Sequence, residues 1–195
     1  MGRHQKSKLV GRYILTDAQP LRAADARQRA LLTQTSGITN ASRGEAIMSI
    51  NIVRLHRVLR ATPERIYRAF LDADAMAKWL PPNGFTGKVH HLDAKVGGTY
   101  KMSFTNFTTG HSHSFGGKYL ELVPYERIRH TDRFDAPNLP GEMQTTVSLK
   151  KVSCGTEVNV VQEGIPDAIP TEACYLGWQE SLSLLAQLVE AEIPD

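Results

Sequence analysis

No stretch of this chain approaches the roughly 20 consecutive apolar residues that a bilayer-spanning helix needs, and the N-terminus lacks the apolar core of a secretory signal. A cytoplasmic protein is the resulting expectation. Cysteine is equally scarce. Cys154 and Cys174 are the only two, they form no CxxC pair, and neither a zinc knuckle nor a disulfide framework is supported; they read as core or surface thiols. Absent too are a G-x-S-x-G elbow, a recognisable Ser/His/Asp order and a phosphate-binding loop. Gly97-Gly98 and Gly116-Gly117 precede no helix, so they read as a turn and a bulge in which glycine supplies backbone freedom.

What is present is a chain of 195 residues with 41% hydrophobic content, enough for one well-buried core and too short for two full domains. Its net charge of +3 is uneven. Residues 1–47 hold eight Lys and Arg against three acids, a surplus of five, so the remainder carries −2. The basic character belongs to this leader, and the patterned part offers no global charge argument for nucleic acid. The leader is poor in aromatics and shows no sustained period, which predicts a disordered basic extension over 1–47. Strong patterning begins at Met48, so the domain is expected over 48–195, with Met48 as a candidate start of the functional protein.

From residue 51 to 60 a β-type run ends at Thr62-Pro63-Glu64, where Thr caps a helix, Pro takes its first position and Glu favours its positive end. A second short helix is predicted over 74–80, stopped by Pro81-Pro82-Asn83-Gly84. Strands follow at meander spacing over 86–92, 99–107, 111–122, 127–134, 143–152 and 156–163. The last element is one long helix from about 171 to 191, with Ala173, Leu176, Gly177, Leu184, Leu185 and Leu188 marking one face. Such a helix is not stable alone and must lie on the sheet.

Alternation along each strand says which side chains face the helix. Tyr100, Met102 and Phe104 share one face. Between residues 127 and 134 three arginines lie opposite Ile128, His130, Asp132 and Phe134, so a histidine and a carboxylate stand in an otherwise apolar row. Thr145 and Gln162 join the inward set from the next two strands. An unpaired buried polar group costs about 1–3 kcal/mol, so these residues are either a satisfied internal network or the lining of a ligand cavity. His130 with Asp132 is also the candidate acid/base pair. Trp79 and Trp178, with Phe85, Phe107, Phe115 and Tyr175, are candidate aromatic walls. His111 and His113, two apart on one predicted strand, have a spacing that some metal sites use, and His90-His91 lies on another; neither pair has an identifiable third ligand.

Several segments carry a family likeness: T-P-E-R-I-Y-R-A-F at 62–70, K-W at 78–79, V-G-G-T-Y-K-M-S-F at 96–104, G-x-Y-L-E-L-V-P-x-E-R-I at 117–128 and L-G-W-Q-E-S-L at 176–182. Over residues 49–193 the chain resembles the activator of heat-shock-protein-90 ATPase homologue family, within the START, polyketide cyclase and Bet v-like (SRPBCC) superfamily. The resemblance implies an α+β helix-grip fold: a curved antiparallel sheet of six or seven strands around a long C-terminal helix, two short helices after the first strand, and a cavity between sheet and helix. It brings no catalytic set that matches residue by residue.

The function expected is the binding of a small apolar or amphipathic molecule, without a cofactor, a nucleic acid or a membrane span. The expected lining is Trp79, Phe85, Tyr100, Met102, Phe104, His130, Asp132, Phe134, Thr145, Gln162 and Trp178. Alternatives are a cyclase- or dehydratase-type enzyme using His130 and Asp132, and an interaction module acting on a chaperone or regulator. An exposed apolar patch near Pro81-Pro82 would favour the last. A homodimer is compatible with such a domain, although no motif requires one.

Overall fold

The computed structural model describes residues 51–192. The basic leader and the Met48 start expected from the sequence lie outside the described residues.

Seven antiparallel strands and three helices make up the fold: β1 (Val53–Leu59), α1 (Pro63–Ala69), α2 (Ala73–Trp79), β2 (Phe85–Leu92), β3 (Thr99–Asn106), β4 (Ser112–Val123), β5 (Arg127–Phe134), β6 (Met143–Val152), β7 (Gly155–Glu163) and α3 (Thr171–Val189). The strand order is β1-β7-β6-β5-β4-β3-β2. Strands β2 to β7 are a plain meander, while β1 and β2, neighbours in sequence, are the opposite edges of the sheet. Helices α1 and α2 carry the chain from one edge to the other. The sheet curls into a half-barrel, and α3 packs against β1, α1 and α2. This is the helix-grip architecture expected from the sequence.

The short helices form for local reasons. Thr62 accepts from the Arg65 N–H with Pro63 next to it, and Asp72 Oδ1 accepts from the Ala75 N–H at 2.8 Å to start α2; each satisfies a backbone donor that a helix start leaves free. α2 ends on Trp79, which is 1% exposed and donates its Nε1–H to Ala69 O at 2.8 Å. That bond pins the end of α2 to the end of α1.

The inward face of α3 differs from the leucine-rich one that its sequence predicts. Ala173, Gly177, Ser181, Leu182, Leu185 and Val189 are buried, whereas Leu176 is 43% exposed. In the first half of the helix, small residues at i, i+4 spacing face the sheet. Ser181 belongs there because its hydroxyl has acceptors, Leu80 O at 2.6 Å and Gly177 O at 3.0 Å.

Glycine decides the middle of the sheet. Tyr100 on β3 stands opposite Gly117 on β4, and Gly117 lies against Thr131 of β5 so closely that a Cβ there would fall 1.7 Å from Thr131 O. The β4–β5 register slips between Tyr119 and Glu121, two residues beyond the glycines expected to mark the bulge. Lys118 N–H, next to Gly117, donates to Thr131 Oγ1 at 3.2 Å. A Gly117→Ala substitution must therefore push two strand backbones apart, and it should lower stability by about 3 kcal/mol, the upper end for an overpacked site. Urea unfolding of the variant with an unchanged denaturant slope is the measurement.

Candidate functional site

Between the concave face of the sheet and α3 lies a cavity in which the centre of a water molecule has about 160 Å³ to move. The strands supply its large rings, among them Phe104, Phe115, Tyr119 and Phe134, and the helix supplies Ala173, Gly177 and Ser181. The space exists because the helix presents small side chains where leucines would reach across. Of the residues that alternation pointed inward and the candidate aromatic walls, Trp79, Phe85, Tyr100, Phe104, His130, Asp132, Phe134, Gln162 and Trp178 stand on its wall. Two expected members do not. Met102 is fully buried but packs in the core away from the cavity. Thr145, also fully buried, stands behind Asp132 and donates its Oγ1–H to Asp132 Oδ2 at 3.1 Å.

The polar end of the cavity is built around that carboxylate. Asp132 is 6% exposed. Tyr100, paired with Gly117 in the β3–β4 register, donates its hydroxyl proton to Asp132 Oδ1 and leaves its oxygen 3.1 Å from His130 Nδ1. His130 Nδ1 also stands 3.2 Å from Asp132 Oδ2. Strand pairing accounts for the convergence. His130 faces Thr145 and Asp132 faces Met143 across β5–β6, which makes Thr145 the diagonal neighbour of the carboxylate.

Charges follow from these contacts. Burial by itself raises the Asp132 pKa, but the charge of His130 and the hydrogen bonds from His130, Tyr100 and Thr145 outweigh it and hold the carboxyl below its usual value. For His130 burial acts to lower the pKa, and the Asp132 charge and hydrogen bond carry it above normal. Burial beside Asp132 pushes Tyr100 well up, so the phenol keeps its proton. Each contact thus favours the charged form of His130 and of Asp132 and the protonated form of Tyr100.

A second histidine sits in the opposite environment. His113 is 8% exposed and ringed by Phe85, Phe104, Phe115 and Phe134, with ring centroids 5.6–6.2 Å away. Its Nδ1 is sealed from water and has no hydrogen-bond partner among the described residues. Burial pushes its pKa down to about 4.

The metal-type reading of His111 and His113 is corrected on this point. His111 is exposed and precedes β4, whose first residue is Ser112, because Gly110 with φ +74 turns the chain there. The two rings thus occupy different surroundings. His90 donates to or accepts from Ser103 Oγ at 2.8 Å where the β2–β3 register slips, and His91 is exposed. Among the described residues no cluster of three or more His, Cys, Asp or Glu converges.

Other candidates are also displaced. Phe107 and Tyr175, expected as walls, are 82% and 40% exposed; Phe107 lies just past the end of β3 and Tyr175 on the outward side of α3. Pro81 and Pro82 are buried, so the apolar patch that would favour an interaction module is not formed there. Cys174 lines the cavity as a thiol whose pKa burial raises to about 11, and Cys154 is exposed. Among the described residues, no helix is long and apolar enough to cross a membrane.

Sequence reasoning missed His113, Tyr119 and Ser181 as cavity residues, and the tight packing of Gly117 against β5. For His113 and Tyr119 a signal was available, since both share the inward parity of Phe115 on β4.

Comparison with known proteins places this geometry. The family model described as Activator of Hsp90 ATPase homolog 1-like protein matches residues 60–190. A solved structure of a protein from Chromobacterium violaceum is 65% identical, covers 73% of this chain and 99% of its own, and superposes with a TM-score of 0.72. Proteins from Rhodobacter sphaeroides (22% identical, 70% of this chain and 90% of that one, TM-score 0.62) and Rhizobium leguminosarum (21%, 72% and 95%, TM-score 0.62) share the fold. No curated protein matches.

The two histidines make opposite contributions to stability against pH. His113 has a folded pKa below its unfolded value of about 6.5, so its contribution is whole above pH 6.5 and is lost as pH falls toward 4, about 3 kcal/mol in all. Asp132, with a lowered pKa, keeps its contribution until pH falls below the usual carboxylate range. His130, with a raised pKa, contributes fully below pH 6.5 and loses that contribution as pH rises. Urea titrations of wild type between pH 6.5 and 4 should therefore show a steep loss of stability that His113→Phe flattens.

Proposed function

This chain belongs to the family of Activator of Hsp90 ATPase homolog 1-like proteins, and from that premise we propose that it is a binding protein for a small, largely apolar molecule held between the sheet and α3. The observation that carries this reading is the cavity itself. It is lined mainly by aromatic and aliphatic side chains, with a few polar groups at one end, the pattern of a small-molecule site. A void of about 160 Å³ is a stability defect in a core that serves only packing, since side chains in natural interiors interdigitate with few gaps larger than a water.

Size narrows the ligand. An apolar cavity of about 150 Å³ stays dry and takes up benzene, so the space here suits a single ring or a short branched chain. The aromatic walls Phe104, Phe115, Phe134 and Trp178 favour a flat ring, which stacks or meets them edge to face.

Toluene is the direct probe. In wild type it should produce saturable shifts in amide NMR spectra, centred on residues of β4, β5 and the first half of α3, and should raise the melting temperature. Gly177→Leu fills the space from the helix side with a better helix former, and should weaken toluene binding at least about tenfold without loss of stability. A wild type indifferent to toluene would overturn the reading.

The convergence of Tyr100, Asp132 and His130 favours a second reading, acid/base catalysis on the bound molecule. Asp132 holds the Nδ1 side of His130, and no partner among the described residues engages Nε2. A carboxylate that orients an imidazole in this way leaves the other nitrogen free to move a proton. If turnover is found in a screen of small aromatic esters and ketones, His130→Gln should abolish it while toluene binding persists; turnover unaffected by the substitution would remove this reading.

A further inference from the structure

We infer that the Tyr119 hydroxyl and the Nε2–H of His130 form a two-donor socket for a carbonyl oxygen, so that the ligand of this cavity is a neutral single-ring ketone, ester or amide. The inference rests on the cavity-binding reading above, specifies the polar group of its occupant and requires no reaction.

Most polar groups on the cavity wall already have partners. Asp132 is held by Tyr100, Thr145 and the Nδ1 side of His130. Trp178 Nε1–H donates to Gln162 Oε1 at 3.0 Å, and the Ser181 hydroxyl donates to Leu80 O at 2.6 Å. Two neighbouring groups differ. Nothing among the described residues bonds the Tyr119 hydroxyl or His130 Nε2, and neither atom is sealed from water. Tyr119 as a whole is only 2% exposed and lines the cavity, so the space its hydroxyl opens into is interior. Strand pairing sets the two side by side: Tyr119 stands opposite His130 in the β4–β5 register, with ring centroids 6.1 Å apart. The other groups stand singly. His113 lies further along β4 with its Nδ1 sealed among phenylalanines, and Cys174 on α3 offers only a weak thiol donor. Buried polar groups without partners are costly, and a natural interior seldom retains two together without a use.

Ligand chemistry follows from the protons these atoms carry. Burial first, then the Asp132 charge and the nearby Tyr67, push the Tyr119 pKa up, so the phenol keeps its hydrogen. Asp132 draws His130 toward its charged form, in which Nε2 carries a hydrogen as well as Nδ1. Two donors without acceptors are matched by an oxygen that has two lone pairs and no proton of its own, which is a carbonyl. An alcohol fits less well. Only one proton can bridge its oxygen and that of Tyr119, so a second hydroxyl proton is left with no acceptor at this end. A carboxylate would set a second negative charge beside Asp132 against the single positive charge of His130, and an unmatched buried charge is costly.

The test compares acetophenone, isopropylbenzene, 1-phenylethanol and benzoate on wild type and Tyr119→Phe. Acetophenone and isopropylbenzene are alike in shape, and only the first has a carbonyl. Two readings on wild type do not depend on the variant folding. The infrared carbonyl stretch of bound acetophenone should lie below its position in hexane, and long-range proton–nitrogen NMR should show His130 Nε2 moved by acetophenone and left in place by isopropylbenzene. The acetophenone-to-isopropylbenzene affinity ratio should be about tenfold higher in wild type than in the variant, as expected for one hydrogen bond to an otherwise unpaired buried group. The melting temperature of the variant should not fall, because the lost hydroxyl bonds no described residue of the free protein. If isopropylbenzene binds, then a hexane-like stretch, an unmoved Nε2 or an unchanged ratio each overturns the socket while the cavity reading survives. Tighter binding of 1-phenylethanol or benzoate than of acetophenone overturns the carbonyl assignment in the same way. If neither acetophenone nor isopropylbenzene binds, and toluene does not either, both readings fall together.

Discussion

The structure depends on keeping one carboxylate, Asp132, charged in the interior. A carboxylate removed from water costs several kcal/mol even after the protein relaxes around it, and the cost is met only when donors surround it in good geometry. Three side chains from three strands do so: Tyr100 from β3, His130 from β5 itself and Thr145 from β6. Tyr100 is the demanding one, because β4 lies between it and β5. The residue opposite it on β4 is Gly117, which lies tight against the Thr131 backbone of β5. Tyr100 thus bonds Asp132 across a place where β4 and β5 approach each other closely.

The cavity is an opposite choice, space left where packing was available. Side chains that would fill such a space make contacts that stabilise a core, and here those contacts are forgone. The loss is confined to one end. In the second half of α3, Leu182, Leu185 and Val189 are buried against the core with Val147, Val158 and Val160, while its first half shows the sheet Ala173, Gly177 and Ser181. One helix thus anchors the fold with its C-terminal turns and shapes a chamber with its N-terminal ones.

Most of this architecture was legible because strand alternation is a local signal. Ile128, His130, Asp132 and Phe134 share one parity whatever the neighbouring strands do, and the register of β5 with β6 only decides which of them meet. The cap of α1 at Thr62 and Pro63 and the strand bounds of β5 and β6 follow from the same kind of local rule. What was not legible depends on reach between strands or on which helical stripe wins. Two stripes on α3 compete, one rich in leucine and one rich in small residues, and hydrophobicity alone selects the wrong one for the first half, where Leu176 ends up exposed. Nothing local distinguishes Met102, which packs away from the cavity, from Phe104, which lines it. The His111 and His113 pairing fails for a related reason: alternation assumes that both residues lie within the strand, and the strand begins between them.

His113 and His130 show how far environment alone separates two identical side chains about one cavity. Both are mostly out of water. His130 has a carboxylate 3.2 Å away and is pulled toward its charged form; His113 has only aromatic rings and is pushed to about 4. Two titratable groups whose environments drive their pKa values apart mark a site with divided roles. The charged histidine is locked into the Asp132 network and serves to order the sheet, so its Nδ1 has no freedom to meet a ligand. The neutral one is held by packing alone and has no internal hydrogen bond to give up.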